Sequence, residues 1–499
     1  MKNRYWLLLV VIALLASCTN KFEEYNTDTK NPSVVPGEPL FSNAEKTLSD
    51  QISSTNVNNN VWKLFAQYWT ETTYLDEANY DIVNRTIADW TFLYYYAGGV
   101  SNDGVLMDLK RSKELISAQI PLNDADKVVQ QNKLYIIDLL QAYSYQRLVD
   151  IFGDVPYSEA LDINNISPKY DDAFTIYKDL ISRVDADIAG LDDSEGSFGS
   201  ADLYYNGDIA AWKKFAYTLK VKLGITLADA DPALAQSIVE ASYDKAFTSS
   251  DDDCLMPYLT NTPNTNTLYE DLVLSGRHDF VAANTIVDIM NNMSDPRLPL
   301  YFTQVDTSTE KGVEKLVYLG GTYGENSPFD SYSGPSAKLL DPTFPGIIMT
   351  YDELQFYLAE AAARGWSVGK TAKEYYDEGI TNSIEWWGGT AADATTYLAR
   401  ADVDYDTAVA NAAGGWKEVI GTQAWLAAYT RGFLGWTEWR RLDYPALNMP
   451  PSPPSGVTSV PTRFTYPVNE QTLNKTNYTD AASAIGGDKL TTKIFWDKY

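Results

Sequence analysis

The chain holds one histidine, His278, and two cysteines, Cys18 and Cys254, which limits the covalent chemistry open to it. A Ser–His–Asp triad, or a zinc site with two imidazoles, is all but excluded by a single imidazole. No glycine-rich phosphate loop follows a strand-like run, and no nucleophile elbow is present, so no cofactor and no resident metal is expected. Asp251, Asp252 and Asp253 are adjacent but lack the ligand spacing of an EF-hand, and read as a solvated acidic loop. Two kinds of chemistry stay open. Among 67 acidic residues, two carboxylates could flank a glycosidic bond as in a glycoside hydrolase. Alternatively, with aromatics at 13% of the chain, including 35 Tyr and 13 Trp, flat side chains could hold sugar rings by stacking alone.

Cys18 belongs to a different reaction. Lys2 and Arg4 precede an uncharged apolar run from Trp6 to Leu15, and Leu15-Ala16-Ser17-Cys18 follows. This is a secretory leader with a lipoprotein cleavage box, too short to span a hydrocarbon core of roughly 30 Å. Residues 1–17 are expected to be removed, and acyl chains of the palmitoyl type added at Cys18. Each buried methylene contributes about 0.8 kcal/mol, so several chains anchor where one would bind reversibly. Cys254 is then left without an intrachain partner and reads as a small buried apolar residue.

The formal net charge is −28, and loss of Lys2 and Arg4, two positive charges, takes it to −30. Such a chain repels phosphate backbones, so nucleic acid is excluded as a natural partner.

The elements that would position a binding surface read as helices. Residues 18–40, with Pro32, Pro36 and Pro39, read as a tether, and 41–499 as a single domain. Trp62, Phe65 and Trp69 form one apolar stripe, Trp90, Leu93, Tyr94 and Ala97 another, and Ile136, Leu139, Leu140 and Tyr143 a third within a long helix. Leu354 to Ala361 begins a helix that stops near Gly365, and Thr371 to Trp386 a second one closed by Gly388 and Gly389. That pair has the size of a tetratricopeptide unit, and 124–150 with 171–190 and 208–228 with 233–247 suggest two more. The stretches 251–280, 303–345 and 445–490 are long, irregular and rich in Asn, Thr, Gly and Pro, as binding surfaces are.

Six motifs occur in an order that resembles the SusD/RagB family of nutrient-binding outer-membrane lipoproteins. After the cleavage box come Phe22-Glu23-Glu24 and Asn26 through Pro32, then Phe152-Gly153-Asp154-Val155-Pro156-Tyr157 and Asp295-Pro296-Arg297-Leu298. Glu353 through Ala363, Gln423-Ala424-Trp425 with Trp436 through Arg441, and Pro461-Thr462-Arg463-Phe464 with Phe495-Trp496-Asp497 complete the series. The resemblance implies an all-α scaffold of four tetratricopeptide-like pairs with the irregular segments packed on one side. It further implies a lipid-anchored protein facing the cell exterior. Such a protein would bind glycan or peptide and pass it to a SusC-like TonB-dependent barrel, as a lid without covalent chemistry.

Most motif residues read as structural: a buried Arg–Glu network around Trp436 to Arg441, and Glu360 as an acceptor between helices. Ligand contacts are expected outside them, in three groups. The first is Trp69, Tyr74 and Tyr80, where Thr72, Asp76 and Asn79 give the segment a surface spacing. The second is Arg277, His278 and Asp279. The third is Tyr323, Asn326, Phe329 and Tyr332. A stacked ring contributes roughly 1 kcal/mol beyond its burial, so two or three rings with Asn or Asp hydrogen bonds would be needed. A glycoside hydrolase and a purely adhesive surface protein stand beside this reading as rivals.

Overall fold

The structure, a computed structural model, describes residues 36–97, 104–309 and 314–499. The leader, Cys18 and the motif residues 22–32 lie outside the described residues. Helices dominate: α1 (Gly37–Ser53), α2 (Trp62–Phe65), α3 (Ile87–Tyr96), α4 (Val105–Ser117), α5 (Asp124–Phe152), α6 (Ala173–Gly190), α7 (Ile209–Thr226), α8 (Pro232–Glu240), α9 (Tyr351–Ala363), α10 (Ala372–Trp387), α11 (Trp416–Ala427) and α12 (Gly432–Leu442). Four pairs, α5/α6, α7/α8, α9/α10 and α11/α12, stack through α6 on α7, α7 on α9 and α9 on α11. None of the described helices is long and apolar enough to cross a membrane.

The helix ends follow their caps. The Asn123 side chain accepts the Asp126 N–H at the start of α5, and Gly153, at φ +84°, ends it. Thr371 and Glu374 form a reciprocal capping box on α10, which closes at Gly388 with φ +104°. Side-chain acceptors at the first turn satisfy N–H groups that have no partner within the helix, and a left-handed residue, easiest for glycine, reverses the chain at the other end.

The motif residues converge on the C-terminal end of α5. The buried Arg463 guanidinium donates to the Phe152 carbonyl from Nε (3.1 Å) and Nη2 (3.0 Å) and pairs with Asp488 at 2.7 Å. The Phe464 N–H donates to the Ile151 carbonyl at 2.8 Å, and the Trp496 indole donates to Asp150 at 2.8 Å. Trp62 stacks on Phe464 at 4.4 Å and on Trp436 at 5.0 Å, so α2, α12 and this tail share one aromatic core. Between α9 and α12, Arg441 bridges Glu360 (2.5 Å) and Glu438 (2.7 Å), while Arg364 adds a second donor to Glu360 at 2.9 Å. Glu360 is thus the interhelical acceptor its setting among alanines suggested.

Strands are short and paired across long loops: β1 (Trp69–Glu71) with β5 (Phe280–Ala282), β2 (Val155–Pro156) with β3 (Tyr170–Asp171), β4 (Cys254–Met256) with β8 (Gly346–Met349), and β6 (Val305–Asp306) with β7 (Leu316–Val317). All four pairs are antiparallel. The 251–280, 303–345 and 445–490 stretches are largely irregular as expected, although a helix spans Lys475–Ala484. Cys254 is buried and free.

Several sequence expectations are corrected. Helix α1 begins at Gly37, inside the expected tether, so Pro39 lies in its first turn, where a proline's missing N–H has no helical acceptor to lose. The Trp62–Phe65–Trp69 stripe breaks, because α2 ends at Phe65 and Trp69 starts a strand. Helix α3 forms, but Trp90, Leu93 and Ala97 face outward while Ile87, Thr91 and Tyr95 face the core. Apolar residues occupy nearly every position of that helix, so its period did not fix its buried side. The acidic run is not uniformly solvated either. Asp252 pairs with Lys214 at 2.7 Å, and Asp253 is buried, accepting the Tyr351 N–H at 2.7 Å.

Candidate functional site

The β1–β5 pairing brings the three predicted residue groups together. Trp69 lies opposite Ala282 and Glu71 opposite Phe280, and the pairing continues as the Thr72 N–H donates to the Asp279 carbonyl at 2.9 Å. Thr72 Oγ1 donates to the His278 carbonyl at 2.7 Å. The Asn326 amide donates to the Thr72 carbonyl at 2.7 Å, which fixes the third group against the first two.

Within that frame the predicted residues divide by exposure. Tyr74 is 61% exposed, and Arg277 lies 5.9 Å from its ring centre while pairing with Asp279. The exposed His278 ring stacks on the half-buried Phe329 at 4.1 Å and 15°. Asn326 is exposed and Tyr332 half-buried. Trp69, Tyr80 and Tyr323 are buried, and a ligand cannot reach them. The Trp69 indole donates to the Tyr429 hydroxyl at 3.0 Å, the Tyr80 hydroxyl accepts from Gln67 at 3.1 Å, and Tyr323 donates to the Leu64 carbonyl at 2.9 Å. These three anchor the loop bases that present the exposed residues. Their polar tips are satisfied inside the protein, which is why polar neighbours in the sequence misplaced them at the surface.

A cavity of about 350 Å³ opens beside Tyr74, Arg277 and Asp279. Its remaining polar lining was not singled out from the sequence: Asn56 and Asn58 from the turn after α1, Glu71, Glu77, Arg85 and Asp271. The Asn-rich run 56–60 was the one available signal; the carboxylates meet only through the fold. Both guanidiniums at the cavity are already engaged, Arg85 with Glu77 at 2.9 Å and Arg277 with Asp279. Asp271 accepts the Thr55 N–H at 2.7 Å and the Ser54 hydroxyl at 2.9 Å. The rim thus joins an aromatic face to fixed donors and acceptors, the pattern of a pocket that orients a polar ligand.

Glu71 and Glu77 both line the cavity, and the Ala78 N–H donates to Glu71 at 2.9 Å. Burial, reinforced by the charge of Glu77, pushes the Glu71 carboxyl up to about 9. The folded protein therefore retains a proton that the unfolded chain releases above 4.5, so stability falls as pH rises from there through about 9. Glu71→Gln mimics the protonated carboxyl. It is expected to flatten this slope and to raise stability at pH 8–9 by about 1–3 kcal/mol, read by urea titration at several pH values. Equal slopes in the two proteins would show that Glu71 retains no proton there.

Among the described residues no cluster of three or more His, Cys, Asp or Glu side chains could hold a metal ion. Comparison with known proteins bears on the whole chain. The SusD-like profile described as "Starch-binding associating with outer membrane" matches residues 29–467. A solved structure named as a chitin-binding protein superposes with a TM-score of 0.75 at 27% identity, covering 93% of this chain and 100% of that one. A chitin-binding SusD homologue from Flavobacterium johnsoniae gives 0.71 at 23% identity, over 92% and 97% of the two chains. A SusD homologue from Bacteroides uniformis gives 0.73 at 23%, over 92% and 99%. These last two establish likeness of fold. A search of curated proteins returns no match.

Proposed function

Because the chain belongs to the SusD-like family, we propose that it is a glycan-binding protein of the outer bacterial surface. It is tethered by acyl chains on Cys18 and hands its ligand to a SusC-like TonB-dependent barrel, which it covers as a lid. The observation that carries the binding assignment is the convergence of Tyr74, the His278–Phe329 stack and Asn326 on one loop-built face beside an open polar cavity. Tyr and Phe faces pack on sugar rings, and the fixed amides and carboxylates supply hydroxyl partners.

The cavity speaks for binding rather than hydrolysis. Glycoside hydrolases hold their two carboxyls about 5–9.5 Å apart, with the substrate between them. Here Glu71 and Glu77 are both buried, and Glu77 is already paired with Arg85 at 2.9 Å. The chitin-binding relatives make N-acetylglucosamine oligomers the first ligand to test. Calorimetry of the Cys18→Ala protein against chitin, starch and peptide fragments, with reducing ends assayed in parallel, tests the reading. Saturable heat from a glycan without sugar release is expected. Sugar release would favour the hydrolase, and affinity confined to peptides would replace the ligand class.

A further inference from the structure

A second cavity, of about 450 Å³, lies on the other side of the loop that carries Glu77 and Arg85. Its walls come from three remote stretches: Val83 and Asn84 of that loop, Pro454 and Val457 of the proline-rich segment after α12, and Lys489 and Leu490 of the C-terminal tail. Asn84 lines this cavity while its neighbour Arg85 lines the first. Consecutive Cα atoms stand only about 3.8 Å apart, so a single pass of the backbone forms the ridge between the two openings.

The ridge is built to hold its shape. Arg85 pairs with Glu77 at 2.9 Å on one side, and the Asn84 amide donates to Asp81 at 2.9 and 3.0 Å on the other. The Asp81 N–H donates to the Asp76 carbonyl at 2.8 Å. Left-handed backbone at Tyr80 (φ +67°) and at the β-branched Thr86 (φ +53°) brackets the segment. Such conformations are costly for these side chains and persist only where surrounding contacts impose them, as they do in loops that hold ligands.

The chemistry of the cavity suits a neutral, hydroxyl-rich ligand. Val83, 48% exposed, joins Pro454, Val457 and Leu490 in offering aliphatic walls to the C–H face of a sugar ring. Lys489 is exposed and forms no ion pair among the described residues, and the adjacent Asp488 is held by Arg463 at 2.7 Å. The Lys489 ammonium can therefore donate to a hydroxyl, while Asp81 and Asn84 offer acceptors. One lysine against one aspartate leaves no net charge to draw an ionic ligand.

We propose that this cavity is a second glycan subsite, and that one polysaccharide chain lies across the Asn84–Arg85 ridge with sugars in both openings. The inference rests on the glycan reading given above and narrows it to an extended chain rather than a mono- or disaccharide. Two sites engaged by one ligand act through effective concentration, so the second adds affinity only when the chain is long enough to span them.

Calorimetry with dimers and hexamers of N-acetylglucosamine and of α-1,4-linked glucose provides the test. In the wild-type protein the hexamer of the recognised sugar should bind at least about 10-fold more tightly than its dimer. Ser455→Trp, which fills the cavity from its exposed rim, should reduce that ratio to within about twofold, and Lys489→Ala should reduce it in part. Tyr74→Ala should weaken both lengths without collapsing the ratio. A wild-type ratio near one, or a ratio that survives Ser455→Trp, overturns the second subsite and leaves the glycan reading standing. Failure of both series to bind at either length overturns the glycan reading and this inference with it. Wild-type crystals soaked with the hexamer decide the matter without a variant: density continuous over Asn84 and Arg85 is expected, and density confined to the first cavity overturns the proposal.

Discussion

Arg297→Met is expected to destabilise the protein by about 3–5 kcal/mol, measured by urea and thermal unfolding. Arg297 is wholly buried and holds Asp295 through Nε at 2.9 Å and Nη2 at 2.6 Å. Nη2 also donates to the Gln423 carbonyl oxygen at 2.7 Å, tying the Asp-Pro-Arg turn to α11. Methionine fills much of the stem volume but supplies no donor, so Asp295 would remain as a charge in the interior with only its own loop to hydrogen-bond it. The larger part of the cost comes from that stranded carboxylate rather than from the lost pair itself. The double change Asp295→Leu/Arg297→Met removes both charges and is expected to recover more than half of the loss. A single variant within 1 kcal/mol of wild type would mean that solvent reaches Asp295 despite its burial.

The second large effect falls on binding. Tyr74→Ala combined with Phe329→Ala is expected to weaken glycan affinity about 10- to 100-fold while unfolding stays within about 0.5 kcal/mol of wild type. Tyr74 is mostly exposed, and the half-buried Phe329 lies outside the buried core with the exposed His278 as its ring neighbour, so neither truncation opens the core. Trp69 provides the contrast. Its indole is buried against Phe280 and hydrogen-bonded to Tyr429, so changing it should damage folding and tell nothing about recognition. Unaltered affinity in the double variant would move the binding face elsewhere on the molecule.

How far the sequence revealed these features depended on the range of the interaction. The α9/α10 pair was legible because its signals are local: apolar spacing from Leu354 to Ala361, a threonine three residues before a glutamate, and glycines after the last turn. In α3, Ile-Ala-Asp-Trp-Thr-Phe-Leu-Tyr-Tyr-Tyr offers an apolar face in every direction, and only tertiary contact chooses one. The three ligand groups were identifiable as chemistry, yet the sequence could not say which rings would be pedestal and which display. Trp69, Tyr80 and Tyr323 became pedestal because partners from remote segments, Tyr429, Gln67 and the Leu64 carbonyl, satisfy their polar ends. Glu71 and Glu77 escaped notice for a related reason. Six residues apart, one at the end of β1 and one in the loop after it, they are brought to the same cavity only by the fold, where burial and the neighbouring charge raise the Glu71 carboxyl.

The clamp on the end of α5 has a consequence for the order of folding. Asp150 and the Phe152 carbonyl are met by Trp496 and Arg463, partners separated from them by 346 and 311 residues. Until that distant stretch has joined, the longest helix of the stack ends without the Arg463 donors to its last carbonyl and with an uncovered aromatic surface. A chain cut short of Arg463 is therefore expected to be open and protease-sensitive rather than a shortened native protein, so the stack closes only once the C-terminal residues are in place.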